Sequence, residues 1–224
     1  MGPIIFEDRF DAGRRLGDRM AEAHGRENVV VLGLPRGGVP VAFEIASRLG
    51  APLDVFLVRK LGVPGREELA MGALASGGVR LLNEEIVHLL HIPPETLERV
   101  TEAERRELAR RERAYGATPG GPAVEGKTVV LVDDGVATGS TMLAAIAALR
   151  RKHPAMIVAA APVMSAEARA AIGAAADGCV CLEAPEPFHA VGAWYHDFGQ
   201  TSDEEVQSLL RAARARRDAS TPAA

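Results

Sequence analysis

Asp133 and Asp134 stand side by side after the apolar run Val129-Val130-Leu131-Val132, and the small residues Ala137-Thr138-Gly139-Ser140-Thr141 follow closely. A short β-branched run reads as a buried parallel strand. The two carboxylates therefore fall at a strand's carboxyl end, where open α/β sheets hold their ligands. The small residues open a helix whose first turn is expected near Thr138, so unpaired backbone N–H groups of residues 137–141 cradle a phosphate. Adjacent acids repel a bare polyphosphate and instead need a hydroxyl-rich or cation-bearing partner. A sugar diol held above a phosphate supplies one, and the pairing implies a ribose 5-phosphate. A Walker A loop is excluded because Gly139-Ser140-Thr141 has no Lys, and no G-x-G-x-x-G follows a strand.

Two further clusters could do chemistry at the same sheet edge. Leu34-Pro35-Arg36-Gly37-Gly38 ends the first core strand; its glycines let backbone amides approach an anion, and Arg36 adds a fixed positive charge. Arg59-Lys60 ends the next strand and precedes Gly62 and Pro64. His88 and His91 have helical spacing, but two imidazoles without a third ligand define no metal site.

The elements that must position these groups follow from hydrophobic period. Asp11 is a candidate cap for a first helix carrying Ala12, Leu16, Met20 and Ala23 on one face. Residues 29–34 read as a strand, residues 40–50 as a helix opened by a first-turn proline, and residues 53–58 as the next strand. That unit requires a right-handed crossover. Residues 61–66 read as a Gly/Pro loop, and residues 70–75 and 79–82 as a hairpin. A helical insertion covers about 84–116, broken at Pro93-Pro94, with Glu95/Arg99, Glu102/Arg106 and Glu107/Arg111 at i, i+4 spacing. Leu97, Val100 and Leu108 offer it a docking stripe onto the body or a second subunit. Residues 118–126 form a Pro/Gly-rich connector. Strands at 156–163 and 178–182 enclose a helix at 165–176, residues 183–200 run irregularly, and a helix capped by Ser202 or Asp203 follows. The expected class is α/β: an open, mostly parallel sheet flanked by helices, one domain over residues 1–218, with residues 219–224 a frayed tail.

Composition bounds the rest. The chain has 224 residues, 47% of them hydrophobic, enough for one ample core. Aromatics are only 4%, so that core must be aliphatic. A net charge of -4 offers a polyanion no general attraction and argues against nucleic acid as a partner. No apolar stretch nears the roughly 20 residues of a membrane span, and the amino terminus carries no export pattern; the expected location is the cytoplasm. Cys179 and Cys181 alternate with Val180 on a strand and read as buried apolar thiols.

The strand, acidic pair and A-T-G-x-T turn resemble the phosphoribosyl pyrophosphate (PRPP) signature of the type I phosphoribosyltransferases over its whole length. The resemblance implies that Asp133 and Asp134 bind the ribose hydroxyls and that Ala137, Thr138, Gly139, Ser140 and Thr141 bind the 5′-phosphate. Arg36, Gly37 and Gly38 resemble the family's pyrophosphate loop. Val58-Arg59-Lys60 resembles the start of the flexible loop that closes over PRPP in adenine phosphoribosyltransferases. Such a lid matters because the oxocarbenium-like state at the anomeric carbon would be captured by water. Residues 183–200 resemble the hood of hypoxanthine-guanine phosphoribosyltransferases, which implies that Phe188 stacks on a planar acceptor and Asp197 faces its edge. His189 and His196 flank the hood. The implied cofactor is Mg²⁺, held mainly by PRPP oxygens and water. The implied catalytic residues are Lys60, Arg36 and Asp134.

Two departures bear on the acceptor. The hypoxanthine-guanine enzymes carry an acid/base Asp where this chain has Ala137, and residues 156–163 lack the lysine that recognises a 6-oxopurine. As a whole the chain is similar to the uncharacterised bacterial phosphoribosyltransferases. The reading is a transferase moving the 5-phosphoribosyl group of PRPP to a planar nitrogenous acceptor with release of pyrophosphate. The alternatives are a non-catalytic PRPP or nucleotide sensor and a PRPP or nucleotide hydrolase. The implied partners are PRPP and a small-molecule acceptor, with a homodimer left open and no membrane.

Overall fold

Five apolar runs pair side by side, all parallel, and the inner ones are buried on both faces and must be covered by crossover helices. The computed structural model describes residues 5–23, 28–118 and 121–220. In chain order the elements are α1 (Arg9–Ala23), β1 (Val29–Gly33), α2 (Gly38–Leu49), β2 (Leu53–Val55), β3 (Val58–Val63), β4 (Arg66–Ala75), β5 (Val79–Leu82), α3 (Glu84–Leu89) and α4 (Pro94–Tyr115). After these come β6 (Thr128–Val132), α5 (Ser140–Arg150), β7 (Met156–Val163), α6 (Ala166–Ala175), β8 (Gly178–Glu183) and α7 (Asp203–Ser220). The main sheet runs β2-β1-β6-β7-β8, and β3-β4-β5 form a separate antiparallel sheet. The α/β class with an open parallel sheet is therefore the architecture observed.

Period-two alternation divides the core. Val29, Val31, Val130, Val132, Val158 and Ala160 face α1, α2, α4 and α7. Val30, Leu32, Val129, Leu131, Ile157 and Ala159 face α5 and α6. Fully burying one such Val or Leu contributes about 1.5–3 kcal/mol, so β1 and β6 are held from both sides. The α1–α2 contact is close because Gly13 and Gly17 lie in it. A Cβ at Gly13 would sit 2.8 Å from the Val41 carbonyl oxygen, and one at Gly17 2.9 Å from Arg48 Cγ.

From β1 the chain crosses to β2 on one side, and from β6 it crosses to β7 on the other, so the topological switch point falls between β1 and β6. Their ends are in register, with Gly33 opposite Val132. That register brings the loop after β1 beside the acidic pair after β6, at the crevice where open sheets bind ligands.

Several boundaries differ from expectation. Asp8, not Asp11, caps α1: its Oδ1 accepts the Asp11 N–H at 2.7 Å, while Asp11 Oδ2 reaches back to the Glu7 N–H at 3.2 Å. This is a reciprocal capping arrangement that shifts the helix start. Ala12, Leu16 and Met20 are buried as expected; the side chain of Ala23 lies outside the described ones. Residues 53–58 are not one strand. β2 ends at Val55, and the Leu57 N–H donates to Ser76 Oγ at 3.0 Å, turning the chain into the second sheet. The expected loop at 61–66 is instead the tip of the β3-β4 hairpin, turned by Pro64 and Gly65, whose φ of 77° suits glycine. α5 begins at Ser140 rather than near Thr138, because Gly139 at its cap is left-handed, with φ 77°. In α4, Glu107 pairs with Arg111 at the expected spacing, but Glu102 pairs with Arg105. α4 docks on the body through buried Leu108 with Leu97 and Val100. α7 continues through Ser220, into the expected tail; residues 221–224 lie outside the described ones. Among the described residues no helix is long and apolar enough to cross a membrane.

Candidate functional site

β6 delivers Asp133 and Asp134 to the switch point, and their surroundings are closely fixed. Asp133 Oδ1 accepts the Asp134 N–H at 2.9 Å. The Tyr195 hydroxyl donates to the Asp134 carbonyl oxygen at 2.5 Å. Arg9 Nε lies 2.8 Å from Asp134 Oδ2, with the side chains only 11% and 15% exposed. Burial, and then the negative charge of Asp134, pushes the Asp133 carboxyl well above the ordinary carboxylate range. The same causes raise the Tyr195 phenol.

The loop after β1 packs directly on this pair. A Cβ at Gly37 would fall 2.0 Å from Asp134 Oδ2, and one at Gly38 would fall 2.6 Å from the Val132 carbonyl oxygen. Both positions therefore require glycine for the approach, which is a different reason from anion binding and compatible with it. Beside them, Asp133, Gly135, Val136, Ala137, Thr138, Gly139, Ser140, Thr141, Met142 and Val191 enclose a cleft of about 160 Å³. The first turn of α5 opens on it, and the first N–H groups of a helix have no partners within the helix. The Val136 N–H donates to the Val163 carbonyl, and Ser165 Oγ donates to the Ala137 carbonyl, so the turn is anchored to the end of β7. A Cβ at Gly135 would lie 2.3 Å from Val191 Cγ1, so this glycine lets the irregular segment close over the turn.

The basic groups fall into separate settings. Arg36 Nη1 lies 3.7 Å from Asp203 Oδ1, which also accepts the Tyr115 hydroxyl at 2.9 Å. Arg59 Nε lies 2.6 Å from Glu104 Oε2 of α4. Lys60, next along β3 and hence on its opposite face, is exposed.

The two hood residues do not share a cleft. Phe188 lines an opening of about 340 Å³ with Ala137, Thr138, Ser165, Glu167 and His189, next to the turn at residues 137–141. Asp197 lines another of about 200 Å³ with Arg9, Pro40 and Gly199, and its Oδ1 accepts the Gly199 N–H at 2.9 Å. A short 3₁₀ turn, Val191–Trp194, separates them. His189 and His196 are exposed. Cys179 and Cys181 are half-buried on β8, and burial raises both thiols.

Nothing local in the sequence sets Arg9, Glu104, Asp203 and Tyr195 beside these groups. Their partners lie far along the chain, 125 residues in the case of Arg9 and Asp134. The one local signal for Arg9 was the Asp8-x-x-Asp11 cap, which sets it at the first position of α1.

The family model of the phosphoribosyl transferase domain matches residues 7–197. Two Mycobacterium tuberculosis proteins, from strains CDC 1551 and H37Rv, both provisionally named as phosphoribosyl transferases, are 46% identical over 214 residues. The match covers 96% of this chain and 48% of theirs, so the chain spans about half the length of these relatives. The crystal structure of TT1426 from Thermus thermophilus is similar at 44% identity and a TM-score of 0.82, covering 92% of this chain and 98% of that one.

Proposed function

The chain belongs to the phosphoribosyl transferase family, and from that membership we propose that it transfers the 5-phosphoribosyl group of PRPP to a planar nitrogenous acceptor, releasing pyrophosphate. The observation that carries this reading is the juxtaposition of Asp133 with the turn at residues 137–141 around one small cleft, with Asp134 next to it at the strand end. Asp133 and Asp134 accept the ribose hydroxyls. The amides opening α5 hold the 5′-phosphate at the positive end of the helix. The loop at Arg36, Gly37 and Gly38, with Lys60 from the β3-β4 hairpin, faces pyrophosphate. Arg59, on the other face of β3, would join that subsite only if Glu104 released it and the hairpin turned. As the bond from the anomeric carbon to pyrophosphate lengthens, positive charge builds on the ribose and negative charge on the leaving group. Fixed cations on that side favour departure, a kind of electrostatic support that is usually large in catalysis. Phe188, beside the phosphate turn, stacks on the acceptor.

The donor set suits a cation that brings its own phosphate ligands. Two adjacent carboxylates are present, and among the described residues no group of three or more His, Cys, Asp or Glu is placed to hold a metal. Mg²⁺ bound through PRPP oxygens and water would neutralise part of the pyrophosphate charge. Asp133 and Asp134 favour it electrostatically.

The test is pyrophosphate release from Mg-PRPP against a panel of bases, amines and water. Release that depends on one acceptor supports transfer; release in water alone indicates hydrolysis. Tight binding without release indicates a sensor, a reading that Ala137 in the acid/base position favours. Asp134→Asn weakens PRPP binding strongly, and unchanged calorimetric affinity would remove the acidic pair from the reading. Lys60→Ala slows pyrophosphate loss without lowering the melting temperature.

A further inference from the structure

We propose that Arg9 is a positioning residue of the ribose site: it fixes the Asp134 carboxylate in place for the ribose hydroxyls and ties that carboxylate to the end of the hood. The proposal rests on the phosphoribosyl transfer reading above and names a residue outside the signature.

Arg9 makes three contacts in three directions. Nε meets Asp134 Oδ2 at 2.8 Å, Nη1 donates to the Gly199 carbonyl at 2.6 Å, and the guanidinium lies over the Phe198 ring at 4.0 Å from its centroid. A planar guanidinium presents its donors in a rigid fork. Satisfying all three contacts fixes the relation between the strand end and residues 198–199. The side chain is nearly buried, so water does not substitute for these partners.

The other sides of Asp134 are also occupied. The Gly37 backbone packs against its carboxylate, its N–H is held by Asp133 and its carbonyl by the Tyr195 hydroxyl. Tyr195 in turn packs on Phe198, with ring centroids 5.0 Å apart. Asp134 is thus oriented before any ligand arrives, which reduces the cost of ordering it on binding. The positive charge of Arg9 also works against the upward push that Asp134 exerts on the Asp133 carboxyl. The start of α1 is held in register by β-type pairing: the Phe6 N–H donates to the Trp194 carbonyl, and the His196 N–H donates to the Phe6 carbonyl, each at 2.8 Å. A hood that shifts when an acceptor docks would carry Arg9, and with it Asp134.

Arg9→Gln and Arg9→Lys separate this role from general stability. PRPP affinity is measured by calorimetry, inorganic phosphate affinity serves as a control for the cradle at residues 137–141, and KM and kcat are read from pyrophosphate release. Loss of a hydrogen bond to a charged group predicts PRPP binding weakened about 10- to 100-fold in Arg9→Gln, with phosphate affinity unchanged. Arg9→Lys recovers part of the loss, since one ammonium cannot hold Asp134 and Gly199 together. Should Arg9→Gln fail to fold, the Lys variant carries the test, and wild-type PRPP affinity and KM in it overturn the proposal. Unchanged PRPP affinity in Arg9→Gln also overturns it, and tighter binding does so too, because Arg9 would then be occupying the ribose position. A wild-type protein with no affinity for PRPP overturns the transfer reading and this inference together. Wild-type binding that the Arg9 variants leave intact overturns the inference alone.

Discussion

Glu104 of α4 holds Arg59 of β3, Oε2 to Nε at 2.6 Å, and so the charged insertion restrains one of the two adjacent cations at the start of the hairpin. Lys60 points the other way. A pyrophosphate reaching Arg59 must displace Glu104, whose side chain is 24% exposed. Partly exposed ion pairs contribute roughly 0.2–1 kcal/mol. Glu104→Gln should therefore tighten Mg-pyrophosphate binding by up to about fivefold. Glu98→Gln, which frees Arg80 on β5, is the matched control and should change nothing. Equal pyrophosphate affinities in wild type and Glu104→Gln would show that Arg59 serves only to dock the hairpin on α4.

Alkaline pH should unfold the protein through its two tyrosines. Burial first, and then the hydrogen bond and charge of Asp203, push Tyr115 up from 10.0 to about 12. Burial and the charge of Asp134 raise Tyr195 further. Because the folded values lie above the unfolded one, the stability contributed by the neutral phenols is complete below pH 10. The Tyr115 part is lost as the pH rises from about 10 through 12, and the Tyr195 part at higher pH. Phenolate absorbance and circular dichroism should move together over that range, and Tyr115→Phe should remove the earlier part. A tyrosine that titrates near its ordinary value while the fold stays intact would contradict this placement.

What the sequence made legible was local. β7 covers Met156–Val163 as its apolar run indicates, and Ser165 Oγ caps α6 by accepting the Ala168 N–H. The acidic pair and the turn after it are readable because strand, carboxylates and small residues are contiguous. What was missed depends on distant partners. The break after Val55 is set by Ser76, and an unbroken apolar run from Leu53 to Val58 gives no sign of it. The loop glycines looked like anion ligands, yet Gly37 and Gly38 are also compelled by Asp134 and Val132, which periodicity cannot reveal. Phe188 and Asp197 read as one hood, but the 3₁₀ turn between them sends them to different clefts.

Gly37→Ala should abolish PRPP binding while leaving a folded protein. Its Cβ would lie 2.0 Å from Asp134 Oδ2, so the carboxylate must move. Overpacking of this kind costs typically 1–3 kcal/mol. Gly173→Ala is the contrast: nothing lies within 4 Å of that Cβ, in the exposed interior of α6. It should stabilise by about 0.5–1 kcal/mol through helix propensity, with PRPP affinity unchanged. Denaturant melts and calorimetry on the two variants decide the matter; wild-type PRPP binding in Gly37→Ala would mean that Asp134 tolerates displacement and is not a fixed acceptor.

Asp133→Asn should separate stability from binding. The folded carboxyl titrates above its ordinary 3.8, first because of burial and then because of Asp134. The neutral acid is therefore the form that favours folding: its contribution is complete below about 3.8 and disappears as the pH rises through the raised folded value. Once ionised, this side chain is a liability for the fold. An amide keeps the neutral state at every pH, still accepts the Asp134 N–H, and can donate to the Asp134 carboxylate. The variant should melt a few degrees higher than wild type at a pH above the raised folded value and lose the wild-type decline in stability as the pH rises from about 3.8 through that value. It should also bind PRPP more weakly, having one fewer carboxylate oxygen to accept the ribose hydroxyls. A lower melting temperature with the wild-type pH profile retained would show that Asp133 is held by contacts that need its charge.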